Sequence, residues 1–316
     1  MIRHSFEEIV FNAKSVVTVG TFDGVHVAHQ KILETLVEKA KAHASRSVLI
    51  TFTPHPQEVL HQKKAEMLLT DEERIKMISD AGIDEICLLK FDHDFSLVTA
   101  ENFLIELVYK KIGLCELVLG YNHTFGYKAQ GTVEFAREVG KRIGFNVDFV
   151  EKVVIDGTVV SSSNIRKLLK SGNLLLVNKM LGRAYAFEGF VVRGNGRGRR
   201  LGYPTANLRL IDERLLIPGF GIYVVEATLD EEVFVGLASI GVRPTFENSG
   251  VTMVEVWISD FDRDIYGKRI GISFIHRLRD ELKFDSAEQL VAQMDQDRKM
   301  MNEYLVKTFP AKRDRR

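Results

Sequence analysis

The sequence predicts an α/β domain built on a parallel sheet, followed by a β domain, an antiparallel sheet or barrel, closed by one terminal helix. Three observations carry this. Strand-like and helix-like segments alternate from Ser15 to about Val154, the order that right-handed βαβ crossovers produce. After the stretch Met180-Leu181-Gly182-Arg183 the texture changes to strand-like runs separated by Gly, Asn, Asp and Pro turns. A helical pattern returns only at Ser286 and runs to about Lys307. A chain of 316 residues is long for one core, and about 100–200 residues per domain makes two domains the expectation. The boundary is placed near residue 184, giving domains 1–183 and 184–316.

The elements follow in order. In the first half the β-branched and apolar runs at 15–20, 46–51, 85–90, 116–121 and 145–155 are expected strands. Between the first two, Gln30 to His43 places Ile32, Leu33, Leu36, Val37 and Ala40 on one face with charges opposite. Thr70-Asp71-Glu72-Glu73 has capping-box spacing, since the threonine oxygen and the glutamate each satisfy an orphan N–H at a helix start. Thr99 marks a further helix start. In the second half the runs at 186–194, 219–229, 232–241, 251–260 and 269–277 are the expected strands. The closing KRDRR reads as a solvated tail.

Composition bounds the function. The formal charge is zero, which argues against a nucleic-acid binder with a broad basic face. MIRHSFEEIVFNAK breaks every short apolar run with charge and reads as part of the fold, and no run approaches the ~18 apolar residues of a membrane span. Cys87 and Cys115, in ICLL and LCELVL, read as buried inert thiols, which suits a reducing cytoplasm.

The stretch GTFDGVHVAHQ, residues 20–30, joins the first strand to the first helix. A glycine at a parallel strand end permits a tight turn, and the helix start offers unpaired N–H groups and a positive dipole end to an anion. His26 and His29, three apart, share a helix face beside that seat. Capping, surface exposure and a zinc pair are the competing readings, and no cluster at metal spacing supplies further zinc ligands. Two more stretches lie in the same half: Thr51-Phe52-Thr53-Pro54-His55-Pro56 after the second strand, and Val160-Ser161-Ser162-Ser163-Asn164-Ile165-Arg166 before a late helix.

Taken together these three stretches resemble the signatures of the bacterial flavin adenylyltransferases. The resemblance implies a Rossmann-like nucleotidyltransferase domain. In it Gly20, Phe22, Asp23, Ser162 and Ser163 line the ATP site, His26 and His29 contact the phosphates, and Arg166 steadies the departing pyrophosphate. Such donors suit charge spreading over phosphate oxygens. The stretch from Gly120 to Gly131 matches the family segment that flanks flavin and ATP, with Asn122 as polar anchor. Phe52, Pro54, His55 and Phe125 fall on the flavin side, the two phenylalanines with core packing as their alternative role. Ala28 stands where the family usually has glycine, and His123 where it usually has an aromatic; both leave open an impaired adenylyltransferase half.

In the second half, Val192 to Asn207 reads VRGNGRGRRLGYPTAN. Alone it fits an arginine- and glycine-rich RNA contact or a mobile loop. The strand before it and Pro204 after it favour an ordered loop whose backbone N–H groups cradle phosphates. Thr205 and Asn207 then offer oxygens of the kind Mg²⁺ accepts. No GxxxxGK[ST] occurs, so the sequence is not a P-loop kinase. GRGRRLGYPTAN, then PGFGIY at 218–223, IGVRPTF at 240–246, VEVW at 254–257 and LRDELKF at 278–284 resemble the riboflavin kinase module in family order. This resemblance implies a six-stranded Greek-key barrel, Gly194, Gly196 and Gly198 around ATP, Thr205 and Asn207 on Mg²⁺, and Glu255 as the base at the riboflavin hydroxyl. Arg279 and Glu281 are either a structural ion pair or flavin-side contacts. The whole chain is similar to bifunctional riboflavin kinase/FMN adenylyltransferases, which use ATP and Mg²⁺ to turn riboflavin into FMN and FMN into FAD; the alternative is a riboflavin kinase alone.

Overall fold

The computed structural model describes residues 2–194, 196–242 and 252–308, without the side chains of residues 2–4 and 197. Asn195, the 243–246 part of the IGVRPTF stretch and the KRDRR tail lie outside the described residues. Two compact units form, Met1–Asn164 and Ile165–Arg316.

In chain order the first unit runs β1 (Ile2–Ser5), β2 (Ser15–Val19), α1 (Val27–Ala42), β3 (Arg46–Thr53), α2 (Pro56–His61), α3 (Asp71–Asp80), β4 (Glu85–Lys90), α4 (His93–Ser96) and α5 (Ala100–Asn102). A π-helical segment, Phe103–Ile112, continues directly from α5, followed by β5 (Leu114–Gly120), α6 (Val133–Ile143), β6 (Asn146–Val150) and the small hairpin β7 (Val154–Ile155) and β8 (Thr158–Val159); α7 (Ser162–Lys170) begins here and runs on into the second unit. The six strands of the main sheet lie in the order β1-β4-β3-β2-β5-β6, all parallel. The five strands expected from sequence are present, the last of them ending at Val150, and β1 adds an edge by pairing with β4.

Helix α1 shows why this layering holds. Leu33, Leu36 and Ala40 are buried against the sheet, and each fully buried leucine contributes about 1.5–3 kcal/mol. The helix starts at Val27, earlier than its apolar pattern suggests, because His26 caps it by accepting from His29 N–H. Both other expected starts are capped as well: Thr70 and Glu73 form the complete box on α3, and Thr99 accepts from Asn102 N–H on α5.

The sheet order places a switch point between β2 and β5, since the chain leaves β2 toward β3 and leaves β5 toward β6. Loops at such a point diverge and leave a crevice at the carboxyl ends of the strands. FDGVH follows β2, while TFTPHP and GYNHTFG begin in the last residues of β3 and β5; the three strands are neighbours in the sheet.

The second unit adds α8 (Leu174–Leu181), β9 (Tyr185–Val192), α9 (Arg197–Arg200), β10 (Thr205–Leu210), β11 (Gly221–Leu229), β12 (Glu232–Val242), β13 (Thr252–Ile258), β14 (Arg269–Arg279) and α10 (Ala287–Thr308). Helix α8 belongs here because Asn178 ties it to the barrel, donating to Phe274 O at 2.9 Å and accepting from Tyr185 N–H at 2.8 Å. The compact units therefore divide before the change of texture at residue 184. Six strands close as a barrel in the order β10-β13-β12-β11-β14-β9. Alternation sorts their side chains: Phe187, Ala206, Tyr223, Ala238, Val256, Ile272 and Phe274 fill the interior and are buried. The opposite parity faces outward, where α10 covers part of the wall by packing Met301 with Val224, Leu237 and Trp257. Among the described residues, no helix is long and apolar enough to cross a membrane.

Candidate active sites

In the first unit the turn between β2 and α1 is tight and heavily fixed. Phe22, Gly24 and Val25 all have positive φ, at 51°, 84° and 34°, a conformation that costs a β-branched valine energy unless its surroundings impose it. They do. The buried Asp23 carboxylate accepts from Leu68 N–H at 3.0 and 3.2 Å, Ser162 Oγ donates to Asp23 O at 2.9 Å, and Gln30 Nε2 donates to Val25 O at 2.9 Å.

His26 Nδ1 accepts from His29 N–H at 3.2 Å. That bond leaves the ring proton on Nε2. The two imidazoles stack with centroids 3.5 Å apart, and Phe22 lies 5.0 Å from the His29 ring. The first turn of α1 carries no acidic residue, so nothing on the helix itself opposes an anion at its start. Ala28 occupies an ordinary helical position in that turn, where its methyl meets no conformational penalty.

Asn122, Pro54 and His55 lie just past the ends of the neighbouring strands β5 and β3, whereas Arg166 falls past the division, in the second unit. Asn122 is exposed just beyond β5, and Ser162 opens α7, which carries Ser163 and, one turn on, Arg166. His55 caps α2 by accepting from Gln57 N–H at 3.2 Å, beside the cis Thr53–Pro54 peptide. Phe52 and Phe125 belong to one aromatic chain: Phe52 to Phe91 at 5.6 Å, Phe91 to Phe95 at 5.5 Å, Phe95 to Phe103 at 6.1 Å and Phe103 to Phe125 at 5.8 Å. Phe52 is half-buried at the end of that chain, whereas Phe125 is buried within the core.

His123 stacks on Phe125 at 6.0 Å with its Nε2 buried and without a hydrogen-bond partner among the described residues. Burial pushes the imidazole from 6.5 down to about 4, so it is neutral at pH 7. Unfolded, the ring regains its ordinary affinity, so the unfolded chain binds the extra proton in that window and stability falls as pH drops from 6.5 toward 4. Urea unfolding across this range is expected to show a shallower pH dependence for His123→Phe than for the parent chain.

On the barrel, Thr205, Asn207 and Glu255 come together. Asn207 lies directly opposite Glu255 in the β10–β13 ladder, and Thr205 shares their outward face. Thr205 Oγ1 donates to Glu255 Oε2 at 3.3 Å. Asn207 Oδ1 is buried without a hydrogen-bond partner among the described residues. Close approach explains two glycines of the preceding loop. A Cβ at Gly194 would stand 2.3 Å from Asn207 Nδ2, and one at Gly198 would stand 2.3 Å from Tyr203 O. Gly196 opens α9 with a left-handed φ of 62°.

The orphaned Asn207 amide oxygen and the Thr205 hydroxyl are a fitting donor pair for Mg²⁺, which takes few protein ligands and completes its shell with phosphate and water. No cluster of three or more His, Cys, Asp or Glu side chains forms a metal cage among the described residues. Arg279 makes a bidentate ion pair, but with Asp297 of α10, at 2.8 and 2.6 Å. Glu281 lies instead across Gly241, where a Cβ would meet its Oε1.

Two groups escaped the sequence reading. Arg74 on α3 is buried and donates to Thr21 O, Phe52 O and Asp71. Asp297 on α10 is buried and holds Arg279, with Gln293 Nε2 as a further donor at 3.0 Å. The signal for both was the same: a charge on the apolar face of an amphipathic helix, one turn before Ile78 in the first case and before Met301 in the second.

The chain thus combines two folds, each with its own polar constellation. Comparison with known proteins gives the particular family. The FAD synthetase family model matches residues 9–164 and the riboflavin kinase model residues 181–305. A Bifunctional riboflavin kinase/FMN adenylyltransferase of Buchnera aphidicola is 33% identical over 95% of this chain and 96% of its own length. The protein of that name from Escherichia coli K12 is 33% identical over 94% of each. A solved Streptococcus pneumoniae structure described as a macrolide-efflux protein is 33% identical, with a TM-score of 0.85 over 95% of this chain and 98% of that one. The chain belongs to the bifunctional riboflavin kinase/FMN adenylyltransferase family.

Proposed function

We propose that the two halves, 1–183 and 184–316, carry out successive steps of FAD formation at separate sites. In the second, Glu255 takes the proton from the riboflavin 5′-hydroxyl as that oxygen attacks the γ-phosphorus of ATP, and ADP leaves. Thr205 and Asn207 would hold Mg²⁺, which neutralises phosphate charge when bound. Gly194, Gly196 and Gly198 let backbone N–H groups approach the phosphates, and Arg279, fixed by Asp297, contacts the flavin.

In the first half, an FMN phosphate oxygen attacks the α-phosphorus of a second ATP and pyrophosphate departs. His26 and His29 donate to the phosphates, Gly20, Phe22, Asp23, Asn122, Ser162 and Ser163 shape the ATP seat, and Arg166 steadies the leaving group. Phe52, Pro54, His55 and Phe125 form the flavin side, Phe125 by supporting the aromatic wall from within. The enzyme works in the cytoplasm on ATP, riboflavin and FMN, with no nucleic-acid or membrane partner.

The observation that carries this reading is the grouping of Glu255, Thr205 and Asn207 on one barrel wall. Chromatography of a reaction containing riboflavin, ATP and Mg²⁺ is expected to show FMN first and then FAD. FMN that accumulates with no FAD would favour the kinase-only alternative, which Ala28 and His123 motivate.

A further inference from the structure

Resting on the adenylyltransferase reading above, we infer that Arg74 is a positioning residue that couples the nucleotide and flavin seats of the first unit. The apparent affinity for FMN then depends on whether ATP is bound. Arg74 is 1% exposed, and a cation in that setting requires partners for its charge and donors. Its Nη1 donates to Thr21 O at 2.8 Å, and its Nη2 to Asp71 Oδ1 at 2.8 Å and, more weakly, to Phe52 O at 3.4 Å. Asp71 is 43% exposed and balances the charge from the surface side.

The two carbonyls belong to different parts of the site. Thr21 lies in the turn between β2 and α1 that leads to His26 and His29. Phe52 lies in β3, just before the Pro54–His55 segment. The guanidinium is planar and rigid, so one fork fixes the relative placement of both main chains, and neither carbonyl moves without straining the other bond. Thr51 Oγ1 adds a second, weaker link to Thr21 O at 3.4 Å. The turn held by this fork contains the positive-φ residues Phe22 and Val25, so its geometry depends on outside support. A ligand that orders either segment then reduces what the other ligand must order, which makes the two binding events mutually favourable. A residue needed only to fill the α3 face beside Ile75 and Ile78 would be apolar.

Adenylylation kinetics in the intact chain test this, because FAD formation reports on this site alone. In the parent chain the apparent KM for FMN is expected to fall by about 5-fold or more between low and saturating ATP. Arg74→Lys keeps the charge but cannot span both carbonyls, and its FMN KM is expected to be nearly independent of ATP; Arg74→Met is expected to behave the same way. Asp71→Asn, which spares both carbonyl bonds, is expected to keep the parent's dependence. If Arg74→Met does not fold, Arg74→Lys decides. An FMN KM that ignores ATP in the parent, or an unchanged dependence in Arg74→Lys, overturns the coupling while leaving the functional reading intact. A parent chain that makes no FAD from FMN and ATP overturns both.

Discussion

Replacing Glu255 with Gln is expected to slow riboflavin phosphorylation by about 10²–10⁴-fold, the usual worth of a positioned general base, while adenylylation of supplied FMN continues. Glutamine has the same shape, and its amide oxygen still accepts the Thr205 Oγ1 hydrogen bond. The ladder between β10 and β13 is made by main-chain groups and is unaffected. What the amide cannot do is take a proton. The loss should therefore fall on kcat for FMN formation, with little change in thermal unfolding. Steady-state rates with riboflavin, and separately with FMN, measure both arms. An unchanged kcat would remove Glu255 from the base role and leave it as a partner for Thr205.

The second large effect is expected from His29→Ala, with adenylylation falling by about 10²–10³-fold, the scale found when one preorganised transition-state donor is removed, and phosphorylation of riboflavin unchanged. The cap of α1 uses the main-chain N–H of residue 29, not its side chain, so the bond to His26 Nδ1 survives the substitution. The helix start and its dipole persist. Only the imidazole stacked on His26 is lost. Pyrophosphate release from FMN and ATP gives the readout. If this variant loses both activities, the two sites are not independent.

Particular residues show why some of this was legible in the sequence and some was not. Apolar runs that are buried on both faces, such as β2 and β4, announce themselves, and so do caps such as Thr70 with Glu73, because the chemistry is local. Strand β10 was not expected from pattern alone. It begins at Thr205, directly after Pro204, and its outward side chains, Thr205 and Asn207, are polar residues at the end of a stretch that reads as an ordered loop. Strand β1 is four residues with two basic side chains, too short for a pattern.

Proposed site residues that lie in contiguous motifs can be read from the sequence: His26 and His29 on one turn, Thr205 and Asn207 on one strand. Arg74 and Asp297 cannot, because their partners lie far away in the chain: Thr21 and Phe52 for the first, Arg279 for the second. Only the fold brings them together. The ion pair considered between Arg279 and Glu281 shows the same thing: the partner chosen by proximity in sequence was displaced by one on a helix that returns to the strand end.

The parity of β10 and β13 has an evolutionary consequence. Ala206 and Val256 serve the barrel's integrity, while their neighbours Asn207 and Glu255 project from the other side of the same ribbon. Changes at Asn207 and Glu255 therefore leave the barrel interior untouched, whereas Trp257, on the same outward side, is tied to the scaffold through Met301 of α10. Fitness landscapes measured along these two strands should be limited by foldability at Ala206, Val256 and Trp257 and by activity at Asn207 and Glu255.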